Sequence, residues 1–334
     1  MPLPSGLLAQ IVMPARTLAA ALLFLVVVSL GYWPVAAPAQ PQDPSTDVGL
    51  EIASSGRTVR IGALSGDTAV AVVSLEAYVA RVLVGEAEPT AGDASLQALA
   101  IAARTFTMVN MGRHGREGFD LCDTTHCQVW RPAATVASRR AVLATAGQVL
   151  THNSAPAEVF YSASCGGHTE RAADVWARGA LFPYLQGVPD DVHQNDQPWR
   201  LERSLDDVRE AVGRAGARGA RLENVVVEAR STTGRVMRVG LPGLTPDTLT
   251  GDQFRGAVGF AELRSTAFSM ERVGDRLRFE GRGYGHGVGM CVVGAGRRAQ
   301  RGETAEAILT HYFPALAVQH LDDLVPATLT PQAR

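Results

Sequence analysis

Within the string Cys122-Asp123-Thr124-Thr125-His126-Cys127, three potential metal ligands fall inside six residues. Thiolate and imidazole donors suit zinc, which takes four ligands in a tetrahedral shell, so a further partner such as His168, Cys165 or His286 has to arrive from elsewhere in the chain. The same spacing lets Cys122 and Cys127 close a small disulfide ring, and both readings stay open. A second reactive stretch is Tyr161-Ser162-Ala163-Ser164-Cys165-Gly166-Gly167-His168-Thr169, where paired glycines turn a loop that presents side chains. Ser162 or Ser164 beside His168 offers a nucleophile and a base, but the order is not G-x-S-x-G, and hydroxyls at a turn commonly bond their own backbone.

Glycine also occupies every second position of Gly281-Arg282-Gly283-Tyr284-Gly285-His286-Gly287-Val288-Gly289-Met290. In an extended strand all the glycines face one side, and Arg282, Tyr284, His286, Val288 and Met290 face the other. A face of bare backbone predicts close approach by another backbone or by a flat substrate. No G-x-G-x-x-G followed at once by a helix is present, which argues against a phosphate cradle. His286, grouped with Arg282 and Tyr284, either orients polar ligand groups or is a core histidine satisfied by a carbonyl.

The elements that position these groups follow from hydrophobic spacing. After Ser74, a candidate N-cap, Leu75, Tyr78, Val79, Val82 and Leu83 recur at helical intervals, predicting an amphipathic helix that ends near Pro89. Glu86 continues its buried stripe. A carboxyl there loses hydration, which raises its pKa and keeps the proton that a general acid donates. Glu88 faces a different way and makes a poor second carboxylate. A second helix over 94–111 puts Gln97, Ile101, Arg104 and Met108 on one face, so Arg104 points at protein or ligand, and it would pull the pKa of Glu86 down if the two met.

Short runs at 48–53, 58–64 and 69–73 predict strands, as do 147–151, 157–162, 225–229 and 236–239, with helices near 136–145 and 205–212. Strands and helices interleave without regular βα alternation, which predicts an α+β fold. The chain has 334 residues, 46% of them hydrophobic and 19% charged, with a formal net charge of −2. That balance has no basic stripe for nucleic acid. Residues 18–30 are apolar except for Ser29, and Ala37-Pro38-Ala39 offers a small-residue cleavage site, so residues 1–39 read as a signal peptide or an uncleaved anchor, the chain's one membrane contact. Either places the rest outside the cytoplasm, periplasmic or secreted.

In chain order these pieces resemble the stage II sporulation protein D (SpoIID/LytB) family. The resemblance rests on residues 78–89, the run Gln97-Ala98-Leu99-Ala100-Ile101-Ala102-Ala103-Arg104-Thr105-Phe106, residues 122–130, Cys165-Gly166-Gly167-His168-Thr169 with Val175-Trp176, residues 281–290, and His311-Tyr312-Phe313-Pro314. It implies a two-lobed domain over 58–315, preceded by a linker and first strand at 40–57 and followed by a tail at 316–334. The implied activity is that of a peptidoglycan lytic transglycosylase, leaving 1,6-anhydro-N-acetylmuramic acid ends, with Glu86 as the catalytic glutamate. Arg81 departs from the family's glycine, and Ala87-Glu88-Pro89 from its Met-Pro. Arg104, Gln128, Tyr161, His168, Tyr284 and His286 are the candidate substrate-binding residues. Partners are glycan strands and, in a non-catalytic alternative, an amidase or other cell-wall protein that the chain assists. No cofactor is required, although zinc fits Cys122, His126 and Cys127. Cys165 and Cys291 both stand where the family has serine, which implies that they meet as a disulfide.

Overall fold

The computed structural model describes residues 44–63, 70–193 and 196–324. Small sheets and packed helices form an α+β fold around two hydrophobic cores. The segment read as an export signal or anchor lies outside the described residues. Among the described residues no helix is long and apolar enough to cross a membrane.

The first core is built on two helices, Leu75–Glu86 and Asp93–Asn110. Leu75, Tyr78, Val79, Val82 and Leu83 are buried as their spacing predicts, and the Ala-rich run of the second helix is buried on nearly all sides. Pro44–Ala53, Val136–Ala144, Val292–Gln300 and Ala305–Tyr312 complete the helical packing. Strand Thr58–Gly62 pairs antiparallel with Ala71–Ser74 and parallel with Leu121–Cys122. The second core lies within residues 199–279. Its first and last strands, Trp199–Ser204 and Arg276–Gly281, pair antiparallel with Trp199 opposite Gly281, so the segment leaves and rejoins the first core at one place.

Several elements differ from the sequence expectations. Residues 48–53, whose apolar positions alternate as in a strand, belong to the helix Pro44–Ala53. Only Leu50 is buried while Val48 and Ile52 are exposed, and proline at the first helical position favours the turn. Of 157–162, only Tyr161–Ser162 is a strand. The C-terminal tail is not free of the fold, since Ala317–His320 pairs antiparallel with Gln148–His152 and Leu321 is buried.

The glycine-rich segment is also not an extended strand. Gly283, Gly285, Gly287 and Gly289 all adopt positive φ, between 73° and 106°. A Cβ on Gly283 would sit 2.6 Å from the carbonyl oxygen of Ser164, and one on Gly289 would sit 2.0 Å from that of Phe160. The close approach read from the glycines is therefore that of another backbone, residues 160–166, joined by bonds such as Tyr284 N–H to the Ser164 carbonyl at 2.8 Å.

A buried ion pair locks the first core. Glu76 and Arg104 are each 0% exposed. Arg104 Nε donates to Glu76 Oε1 at 2.9 Å and Nη2 to Oε2 at 2.6 Å, while Nη1 donates to the Gln148 carbonyl at 2.9 Å. Gly147 N–H donates to Glu76 Oε1 and the Ser54 hydroxyl accepts from Glu76 N–H. Both charges are thus multiply hydrogen-bonded, which is what makes a buried pair tolerable. Arg104→Met should destabilise the chain by roughly 3–5 kcal/mol, because it strands the Glu76 charge, and Glu76→Leu combined with Arg104→Met should cost less than the single change. Denaturant unfolding of the three proteins measures both.

Candidate active site

Glu86 is the last residue of its helix and is half-buried. Its carboxylate oxygen Oε1 accepts from the backbone N–H of Val129 at 2.6 Å. Burial raises its pKa, against the opposing pull of the Val129 N–H and the Arg131 charge. The negative end of the helix dipole also disfavours a carboxylate at this position. Arg131, rather than Arg104, is the cation that bears on Glu86.

The close contact of Val129 with the helix depends on Gly85. A Cβ there would fall 2.1 Å from the Val129 carbonyl oxygen. With no side chain at 85, the 127–130 segment lies directly on the helix and aims Val129 N–H at Glu86. Arg81 then stacks over the Trp130 ring at 5.4 Å, further holding the segment down.

Beneath this segment Gln128 uses its whole amide. Oε1 accepts from Tyr78 at 3.0 Å and from Thr107 at 2.9 Å, and Nε2 donates to the Ala103 carbonyl at 3.2 Å and to Tyr161 Oη at 2.8 Å. Gln128 is therefore a buried tie and has no polar atom left for a substrate. Tyr161 accepts from it, which leaves the phenol proton unconsumed by that bond. Burial and then the nearby Glu86 charge raise the Tyr161 pKa, so the phenol stays protonated beside the carboxyl.

The remaining predicted binding residues separate. Arg104 is committed to Glu76 and faces no groove. His286 accepts from Val288 N–H on Nδ1 at 3.0 Å and packs against Trp176 and Phe160. Burial, then Arg255 and Arg235, lower its pKa to about 3, and its partial compensation is a bond to the Tyr161 backbone. It is the carbonyl-satisfied core histidine of the two alternatives. His168 Nδ1 is held by the Thr169 carbonyl at 2.6 Å, and Tyr284 is 43% exposed. Among the described residues neither is hydrogen-bonded to Glu86, Tyr161 or Val129.

All four cysteines are free and buried. The expected Cys165–Cys291 disulfide is corrected: the two do meet, but as thiols in a cluster with Asp190 and His193. Cys122 and Cys127 are likewise not bonded to each other. They gather with His126 and with His114, the ligand that sequence reasoning missed. His114 reaches back because its ring stacks on Phe119 at 4.9 Å and its N–H bonds the Asp120 carbonyl. His114 Nε2 lies 3.3 Å from His126 Nδ1 and 3.4 Å from Cys127 Sγ, and Cys122 Sγ lies 3.6 Å from His126 Nδ1. Tetrahedral zinc with bonds of 2.0–2.3 Å needs ligand atoms about 3.3–3.8 Å apart, so the four atoms fit that ion.

Comparison with known proteins bears on what this arrangement belongs to. Residues 64–152 match the family model described as SpoIID, Stage II sporulation protein. Stage II sporulation protein D of Bacillus subtilis (strain 168) is 27% identical over 273 residues, which cover 75% of this chain and 76% of that relative. The chain carries a SpoIID domain. The same protein of Bacillus amyloliquefaciens is 27% identical over 270 residues, covering 76% of each chain. The amidase enhancer of Bacillus subtilis (strain 168) is 24% identical over 270 residues, 66% of this chain and 37% of that protein. Residues 192–289, which contain the whole second core, match a separate family model described as a domain of unknown function, DUF8618. The SpoIID match thus covers Glu86, Val129 and the His114 cluster, while Tyr161 lies beyond it.

The contact at Gly85 yields a test. Gly85→Ala should cost about 1–3 kcal/mol by overpacking. It should also push the 127–130 segment off the helix, so backbone NMR should show the Val129 amide losing its hydrogen-bonded shift. An unchanged Val129 resonance would mean that the segment is held by other contacts.

Proposed function

We propose that this SpoIID-domain protein acts outside the cytoplasm and cleaves peptidoglycan glycan strands as a lytic transglycosylase, with Glu86 as acid and then base. The observation that carries this reading is a single half-buried carboxyl whose pKa is raised, fixed by one backbone N–H beside a protonated tyrosine. Glu88 is exposed and lies beyond the end of the helix, two residues past Glu86. Glycosidases that work with a carboxylate pair need both groups at the bond, whereas one acid suffices where the sugar brings its own nucleophile.

In that chemistry Glu86 gives its proton to the glycosidic oxygen as the bond to C1 of N-acetylmuramic acid breaks. The sugar's C6 hydroxyl then attacks C1 and surrenders its proton to the Glu86 carboxylate, which restores the acid and leaves a 1,6-anhydro ring. Val129 N–H steadies the carboxylate in its ionised interval, and low exposure favours its taking the C6 hydroxyl proton. Zinc held by His114, Cys122, His126 and Cys127 would be structural, since four protein ligands leave no open position for an activated water. The segment it would brace runs directly into Gln128 and Val129.

Glu86→Gln keeps the shape and the acceptor for Val129 but removes the proton. Incubated with purified glycan strands, it should release 1,6-anhydro ends at least about a hundredfold more slowly than the parent, by mass analysis of the products. Anhydro ends at the parent rate would contradict the assignment. The likeness to an amidase enhancer favours a second reading, a wall-binding partner of an amidase. That reading gains if parent and Glu86→Gln stimulate an amidase equally while neither cleaves glycan.

A further inference from the structure

We infer that Cys165, Asp190, His193 and Cys291 form a second, fully buried zinc site, separate from the His114 cluster and independent of what Glu86 does. Their ligand atoms all lie within 4.8 Å of one another. His193 Nε2 is 3.3 Å from Asp190 Oδ2 and 3.2 Å from Cys291 Sγ, and Cys165 Sγ is 3.3 Å from Asp190 Oδ2. These edges are those of a tetrahedron around an ion with bonds of about 2.0–2.3 Å.

The surroundings are built for such an ion. Three backbone N–H groups point at the two sulfurs: Cys165 and Gly294 donate to Cys291 Sγ at 3.2 Å, and Gly167 to Cys165 Sγ at 3.4 Å. Donors aimed at sulfur favour the thiolate, the form that binds metal, and Cys291 is also the N-cap of Val292–Gln300, at the positive end of its dipole. His193 turns its other nitrogen, Nδ1, to Asp196 Oδ2 at 2.6 Å, the outer carboxylate that typically orients a zinc-bound histidine. Asp190 receives Tyr312 Oη at 2.7 Å and Arg298 Nη2 at 3.2 Å, and Asp196 is paired with Arg297 at 2.6 Å. With two thiolates neutralising a divalent ion, and each carboxylate facing an arginine, the buried charges balance. A Cβ on Gly294 would fall 2.3 Å from Asp190 Oδ2, so glycine there is what lets the carboxylate in.

Cys291, His193 and Asp196 also have the geometry of nucleophile, base and orienting acid. Burial decides against that role: Cys291 is 0% and His193 2% exposed, which leaves no path for a substrate. A buried ion instead joins the 165–167 turn, the 190–193 loop that leads to the second core, and the strand Met290–Cys291. That strand pairs with Tyr161–Ser162, so the site supports the residue that faces Glu86.

The test uses the full chain with zinc alone. Zinc content by plasma mass spectrometry should show that the variant Cys122→Ser with Cys127→Ser retains one tightly held equivalent. Adding Cys165→Ser and Cys291→Ser should remove it, and cobalt in its place should give thiolate-to-metal charge-transfer bands only while Cys165 and Cys291 are present. Removing the ion should lower Tm by several degrees. A folded Cys122→Ser, Cys127→Ser protein that binds no zinc overturns the proposal, as does a Cys165–Cys291 disulfide found by non-reducing peptide mapping. If that variant does not fold, zinc-edge anomalous diffraction from the parent decides: a peak among the four ligand atoms is expected, and its absence in zinc-grown crystals refutes the site.

Discussion

The buried pair of Glu76 and Arg104 joins the two helices on which the first core is assembled. Arg104 also binds the carbonyls of Val142 and Gln148, so one guanidinium ties the second helix to the first, to the end of Val136–Ala144 and to the start of Gln148–His152. Ten residues beyond Glu76 on the same rigid helix stands Glu86. Its distance from Val129, and hence its electrostatics, is set by how that helix lies against its neighbours. A buried ion pair adds little net stability over a well-packed apolar contact, but it tolerates few alternative packings, and here it fixes one register between helices.

From that frame the surroundings of Glu86, and the chemistry proposed for it, follow with few parts. A bare glycine lets a backbone segment touch the helix, the segment brings one N–H to the carboxyl, and Gln128 beneath it links Tyr78, Thr107 and Tyr161 into one network. Burial and the helix end favour the protonated acid, while the N–H and Arg131 keep the carboxylate reachable. The balance suits a group that has to give a proton and take one back.

Much of this was legible in the sequence wherever one element decides it. The apolar stripe from Leu75 to Leu83 announced the helix and the partial burial of Glu86, and the alternating glycines announced a close approach, by another backbone or by a flat substrate. What was not legible came from distant pairings. Nothing local to Arg104 says that Glu76 waits 28 positions earlier, so an inward arginine read as a ligand contact. Gln128 and His286 likewise look like binding groups until the partners that consume their polar atoms are known. Paired departures from serine brought Cys165 and Cys291 together correctly, but the family pattern was silent on Asp190 and His193, whose presence turns a disulfide expectation into a ligand set. His114 was missed because its eight-residue separation from Cys122 matches no common metal spacing, and only the folding of its loop onto Phe119 closes it.

The central claim, that burial raises the pKa of Glu86 and so suits it to serve as an acid, is open to direct titration. Its side-chain carbon signal can be followed by NMR in protein labelled at glutamate carboxyls and assigned by its loss in Glu86→Gln. Because burial disfavours the charged form, the folded protein should hold the proton to higher pH than an unfolded chain does, with a midpoint above the ordinary glutamate value of about 4.3. A midpoint at or below that value would mean that Val129 and Arg131 outweigh burial, and would contradict the role of Glu86 as an acid.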